Sequence, residues 1–123
     1  PIIADEDLKV AKAFDMLPAE AYLPDGRTPN DSATVRAVFI VGPDKKLKLS
    51  MTYPMSVGRN FAEVLRALDG LQMSSGKGVA TPANWNVGDD VIIPTSVSDA
   101  DAKTKFGEFT TVLPYLRTTK APK

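Results

Sequence analysis

Val35-Arg36-Ala37-Val38-Phe39-Ile40-Val41, then Gly42-Pro43-Asp44-Lys45, then Lys46-Leu47-Lys48-Leu49-Ser50-Met51-Thr52-Tyr53 decide the fold. In the first run Val35, Ala37, Phe39 and Val41 alternate with Arg36, Val38 and Ile40. Both sets are largely apolar, the pattern of a strand buried on both faces. Gly-Pro-Asp-Lys is a turn. In the last run Leu47, Leu49, Met51 and Tyr53 alternate with Lys46, Lys48, Ser50 and Thr52, which is a strand with one wet face near a sheet edge. The two strands form a β-hairpin. Lys45, Lys46 and Lys48 read as a solvated edge that resists sheet-to-sheet aggregation.

Downstream of the hairpin, Phe61, Val64, Leu65, Leu68 and Leu71 recur at helical spacing, and Asn60 with Glu63 resembles a capping box. The pattern predicts a helix from Asn60 to Met73, weakened at Gly70 and ended by Ser74-Ser75-Gly76. Upstream, Asp5 is a candidate cap for a first helix, with Glu6 and Asp7 in its first turn and Leu8, Ala11, Phe14 and Leu17 as its apolar stripe. Residues 18–32 are rich in Pro, Asp, Gly, Asn and Ser, and Pro24-Asp25-Gly26 is a turn signal, so this stretch is expected to be a loop. Pro1-Ile2-Ile3 reads as the end of a strand.

After Gly78 the texture changes. Val79 to Trp85 is extended and rich in breakers, with Trp85 and Pro82 as an anchor. Val91-Ile92-Ile93 is a short strand stopped by Pro94. Ser98 is a cap for a short helix running to Phe106, with Asp99 and Asp101 as helix-start charges. Val112, Leu113, Tyr115 and Leu116 form a last apolar patch. The order is helix, hairpin, helix and a loop-rich arm, an α/β arrangement. One hairpin and two helices leave apolar faces uncovered, so a partner sheet is expected elsewhere.

Composition narrows the chemistry. The 123 residues are 43% hydrophobic and 24% charged, with fifteen basic and fifteen acidic side chains. That balance gives no general attraction to nucleic acid or an anionic membrane. No apolar run approaches the roughly 20 residues that span a bilayer, and the N-terminal stretch has no signal-peptide pattern. A cytoplasmic location is the default expectation. There is no cysteine and no histidine. This excludes a thiolate nucleophile, Ser-His-Asp and Cys-His catalysis, and a zinc-thiolate site within this chain.

Several blocks resemble 1-Cys peroxiredoxins. They are Pro1-Ile2-Ile3-Ala4-Asp5, Val41 to Ser50, Tyr53-Pro54, Gly58-Arg59-Asn60-Phe61, Leu71-Gln72, and Val79-Ala80-Thr81-Pro82-Ala83-Asn84-Trp85. Their order and spacing hold across nearly the whole chain. The resemblance implies a partial thioredoxin-like fold over residues 1–76 and a C-terminal peroxiredoxin extension or dimerisation arm over 77–123. It implies a thiol peroxidase that reduces hydrogen peroxide or organic hydroperoxides with an external thiol reductant and no cofactor. The family's Pro-x-x-x-(Thr/Ser)-x-x-Cys segment has no match here, so the nucleophile is expected on polypeptide outside this chain. A homodimer or a complementary N-terminal segment is the implied partner.

Two arginines become candidates. Arg36 sits in an otherwise apolar strand, costly for a guanidinium unless it is paired or reaches water. The bland reading is a snorkelling side chain at a strand end. The resemblance implies the active-site arginine, which lowers the thiol pKa and stabilises the transition state. Arg59 precedes a helix, against the dipole preference. It reads either as a solvated pre-cap residue or, by the resemblance, as a support for Arg36. Asp44 matches the acid of a phospholipase triad credited to mammalian-type relatives, but an Asp in a hairpin turn needs no such role. Two other readings stand beside the enzyme. One is a non-catalytic interaction module whose hairpin, helix and arm bind a partner chain. The other is a free-standing thioredoxin-like binding protein, for which the strands are too few.

Overall fold

A computed structural model describes residues 1–17 and 33–123. The expected loop over residues 18–32, with its Pro24-Asp25-Gly26 turn, lies outside the described residues. The chain divides into two compact units, Pro1–Asn60 and Phe61–Lys123, so the long helix groups with the second unit. The domains expected from the resemblance, 1–76 and 77–123, place their boundary at a different point in the chain.

In the first unit, helix α1 covers Lys9–Ala13. It starts three residues later than the sequence suggests, because Asp5 and Leu8 adopt left-handed backbone (φ 51° and 56°) that a helix excludes. Asp5 still caps it, from further away. A turn brings the Leu8 amide to the Asp5 carbonyl at 2.9 Å. The Asp5 carboxylate then accepts from the Val10 and Ala11 amides, both at 2.8 Å. Glu6 and Asp7 lie in this preceding turn instead of the first helical turn. The apolar stripe serves as expected: Ala11 and Leu17 are buried, and Phe14 meets Phe39 with ring centroids 4.9 Å apart.

Strands β1 (Arg36–Val41) and β2 (Leu47–Tyr53) form the hairpin. They pair antiparallel from Arg36 opposite Tyr53 to Val41 opposite Leu47, with an irregularity at Ile40/Val41. The turn is closed by the Lys45 amide on the Gly42 carbonyl and the Gly42 amide on the Lys46 carbonyl, both at 2.9 Å. Lys45 takes φ 60° there. Opposite residues share a face, so Arg36, Val38 and Ile40 lie on the side of Tyr53, Met51 and Leu49. The expectation of two buried faces for β1 is corrected: its four inner residues are half-buried and its ends exposed. Among the described residues this sheet has two strands only, and a pair of strands has no interior position. In β2 the wet-face alternation holds, with Lys48, Ser50 and Thr52 exposed.

In the second unit, helix α2 covers Phe61–Lys77. It does not stop at Ser74-Ser75-Gly76. The Ser74 and Ser75 hydroxyls donate back to the Leu71 carbonyl at 3.2 and 2.7 Å, which keeps both serines inside the helix. Gly78 ends it, at φ 65° with its amide on the Ser74 carbonyl. Gly70 is no weak point, because it is buried and faces Thr81 and Trp85 at close approach.

The arm is more ordered than a loop. Strands β3 (Val91–Ile93), β4 (Thr110–Leu113) and β5 (Leu116–Thr119) form an antiparallel sheet in the order β3-β5-β4. Helix α3 covers Asp99–Phe106. Its Ser98 hydroxyl accepts from the Asp101 amide at 3.1 Å, the expected cap. Two β-branched runs around Pro114-Tyr115 make the last hairpin. The apolar patch read at Val112 to Leu116 is therefore parts of two strands and their turn. Val79, Trp85 and Val91 form the core, with Met73, Phe106 and Ala121 against it. Burial of each large side chain there contributes about 1.5–3 kcal/mol.

Candidate functional site

Arg36 opens β1, two residues past Thr34. Its own face of the hairpin is apolar, formed by Val38, Ile40, Tyr53, Met51 and Leu49, all half-buried. The guanidinium itself is exposed and donates to the Thr34 carbonyl at 3.4 Å. A strand end lets the long stem reach water, so the expected cost of enclosing this charge does not arise within the chain. Tyr53, its cross-strand partner, is followed by Pro54 and a turn closed by the Val57 amide on the Pro54 carbonyl at 3.0 Å. Gly58 and Arg59 come next, and Arg59 is exposed two residues before α2. Both arginines thus belong to the first unit, and the open end of the hairpin leads from one to the other.

Asp44 is committed to its turn. Its carboxylate accepts from the Lys46 amide at 3.2 Å and pairs with Lys48 at 2.7 Å. The Lys48 ammonium, with the Lys46 amide, holds the carboxyl below its ordinary range. Lys48 is therefore a partner of the turn as well as an edge charge.

The second unit contains two arginines that the sequence reading passed over. Arg66 forms a two-pronged pair with Glu63 at 2.6 and 2.8 Å and donates to the Trp85 carbonyl at 3.2 Å. Trp85 Nε1 donates to the Asp89 carbonyl at 3.2 Å, and the Asn86 amide to the Asp89 carboxylate at 2.9 Å. The Val79 to Trp85 block is thereby pinned to α2 as an anchor. Arg117 lies in the central strand and is buried. It donates to Asp99, to the Pro94 carbonyl at 2.9 Å and to the Val97 carbonyl at 2.6 Å. A central position in a three-stranded sheet would have flagged it, had the β4–β5 hairpin been read from its threonines.

Among the described residues no group of three or more His, Cys, Asp or Glu side chains is arranged to hold a metal. No described helix is long and apolar enough to cross a membrane. A cleft of about 290 Å³ borders Trp85, Met73 and Lys77, and Lys77 already donates to the Lys123 carbonyl at 2.6 Å. With no cysteine in the chain, the arginines here can hold or stabilise negative charge but have no thiol of their own chain to act on.

Residues 70–108 match the family model described as the C-terminal domain of 1-Cys peroxiredoxin. The chain is 50% identical to the mitochondrial peroxiredoxin PRX1 of Saccharomyces cerevisiae, over 98% of its own length and 46% of the relative's. It is 47% identical to peroxiredoxin-6 of Gallus gallus, over 99% of its own length and 55% of the relative's. It superposes with a TM-score of 0.85 on a solved structure of a yeast mitochondrial 1-Cys peroxiredoxin, at 50% identity, covering 98% of this chain and 55% of that one. A mutant peroxiredoxin 6 of Arenicola marina gives the same score at 47% identity, with 99% and 56% covered. The mixed helix-and-sheet fold is therefore a portion of a peroxiredoxin, thioredoxin-like fold, and the chain spans about half the length of the curated relatives it matches. The chain belongs to the 1-Cys peroxiredoxin family, as a cysteine-free portion that carries the family's C-terminal domain.

Proposed function

We propose that this chain works as part of a thiol-dependent peroxidase whose reactive cysteine lies on polypeptide outside it. The observation that carries the reading is identity of 47–50% to 1-Cys peroxiredoxins over nearly all of the chain, in a sequence with no cysteine. In such an enzyme a thiolate attacks one oxygen of a hydroperoxide. A sulfur–oxygen bond forms, the oxygen–oxygen bond breaks, and alcohol or water leaves with a proton. The resulting sulfenic acid returns to thiol at the expense of two external thiol groups, which are oxidised to a disulfide while the sulfenic oxygen leaves as water. The yeast relative's structure is described in terms of the glutathione/thioredoxin systems, and a reductant of that class suits this reading.

Arg36 is the proposed electrostatic stabiliser and Arg59 its support. A guanidinium facing sulfur favours thiolate over thiol and hydrogen-bonds the peroxide oxygen as charge develops. Two features favour Arg36: the apolar face beside it, which excludes water once covered, and the exposed guanidinium, free to meet a group from elsewhere. Residues 77–123 are the proposed dimer arm. The working unit is a homodimer or a pairing with a complementary N-terminal segment, in the cytoplasm. The mitochondrial yeast relative supplies the alternative compartment, and cell fractionation decides between them.

The test joins this chain to the cysteine-bearing segment of a 1-Cys peroxiredoxin. Arg36→Ala should raise the cysteine pKa by about one unit or more and slow peroxide reduction about 100-fold. An unchanged pKa with an unchanged rate would remove Arg36 from the mechanism. A second reading, a non-catalytic interaction module, is favoured by the exposed apolar side chains Ile2, Ile3, Val41, Leu47, Phe61 and Leu65. Analytical sedimentation separates it, since a module of this kind self-associates or captures its partner whether or not a cysteine is supplied.

A further inference from the structure

Four methionines occur in the chain, Met16, Met51, Met55 and Met73. Three are half-buried, and only Met55 is exposed, at 49%. Met73 packs on the Val79–Trp85–Val91 core. Met51 lies in β2 opposite Val38. The Met16 carbonyl accepts from the Val35 amide at 3.1 Å, which ties that segment to the start of β1. Met55 is the second residue of the Pro54–Val57 turn, directly between Tyr53, the partner of Arg36, and Arg59.

Oxidation of a thioether requires an open approach to sulfur, and its product is a larger, polar side chain. At Met73 a sulfoxide would press a polar oxygen against the Trp85 core. At Met55 the turn faces water, and the added oxygen is hydrated without displacing any core contact. We propose that Met55 is a hydroperoxide-reactive modification site, oxidised to the sulfoxide ahead of the other three methionines while the fold stays intact. The sulfur lone pair attacks the distal oxygen of the hydroperoxide. A sulfur–oxygen bond forms and the oxygen–oxygen bond breaks. The departing alkoxide takes the proton and leaves as alcohol, or as water from hydrogen peroxide. Sulfur is oxidised by two electrons and the peroxide reduced by two. The turn that joins the two candidate arginines thereby carries a sacrificial thioether. The inference goes beyond the peroxidase reading and does not need it, because the hydroperoxide is itself the oxidant and no cysteine takes part.

The experiment uses the native 123-residue chain with stepwise hydrogen peroxide, followed by proteolysis and peptide mass spectrometry. Met55 should gain oxygen at least about five-fold faster than Met51 or Met73, with Trp85 fluorescence and circular dichroism unchanged after one oxygen per chain. In guanidinium the four rates should converge. M55L should delay the first oxygen of the native chain by about the same factor. Oxidation of Met55 no faster than Met73 in the native chain would overturn the proposal. So would loss of the Trp85 signal with the first oxygen added.

Discussion

Replacing Arg117 by methionine keeps the bulk of a buried side chain and deletes its donors. The guanidinium now bonds the Pro94 and Val97 carbonyls and Asp99, and its Cζ lies 5.9 Å from the Phe109 ring centroid. The Val97 carbonyl left without a donor costs about 1–1.5 kcal/mol, and the lost bond to the Pro94 carbonyl, which keeps the Val97 amide at 3.1 Å, about 0.5–1.5 kcal/mol. Asp99 is 78% exposed, so water replaces its partner and that pair adds only about 0–1 kcal/mol. The methionine stem still packs, which retains most of the apolar contact. The sum is about 1.5–4 kcal/mol from the stability of the second unit. With a slope of about 1 kcal/mol per molar urea for so small a unit, the midpoint should fall by about 1.5 M or more. Trp85, the single tryptophan, is buried in that unit's core and reports the transition by fluorescence. Arg117→Lys should restore part of the loss, since an ammonium reaches at least one of the three acceptors. A midpoint within 0.5 M of the parent for Arg117→Met would refute the assignment of Arg117 as the clasp between β5, the Pro94–Val97 segment and the start of α3.

Gly70→Ala should be neutral or stabilising by up to about 1 kcal/mol, because the new methyl meets Thr81 at 3.4 Å, ordinary contact, and improves helix propensity; Gly70→Leu should instead lower the urea midpoint by crowding Thr81 and Trp85. The Glu63 carboxyl is held below its ordinary value of 4.5 by its bond to Arg66, so the unfolded chain binds more protons near that pH. Its stabilising contribution is present above about 4.5 and is lost as pH falls below it. Urea midpoints followed by Trp85 fluorescence should therefore drop between pH 7 and pH 3.5, and Glu63→Gln should shrink that drop.

The hairpin and both helices flanking it were legible because their signals are local: alternation at period two, recurrence at three and four, and a cap within a few residues. The Asp5 cap also acts locally, but across two left-handed residues that no periodicity encodes, which is why the first helix starts at Lys9. The end of α2 was misread because serine and glycine are helix breakers only when exposed to alternatives. Here Leu71 offers both hydroxyls an acceptor inside the helix. The β4–β5 hairpin escaped because Pro114-Tyr115 lacks the Asn-Gly or Asp-Gly signal of a two-residue turn. Without that hairpin the sequence does not mark Arg117, which is buried, whereas the strand pattern does mark Arg36, which is exposed. Burial of a charged side chain depends on which strand ends up central, and that is a tertiary outcome. The family resemblance, in contrast, survived intact, because six short blocks in register do not depend on any one element's boundary.

Peroxidase turnover tests the central claim most directly. Hydrogen peroxide consumption is followed with a thiol reductant present, first with the 123-residue chain alone and then with the same chain joined to a cysteine-bearing 1-Cys peroxiredoxin segment. The account predicts a rate equal to buffer for the chain alone and catalytic turnover for the joined protein. Turnover by the chain alone, or none from a joined protein that folds, would contradict it.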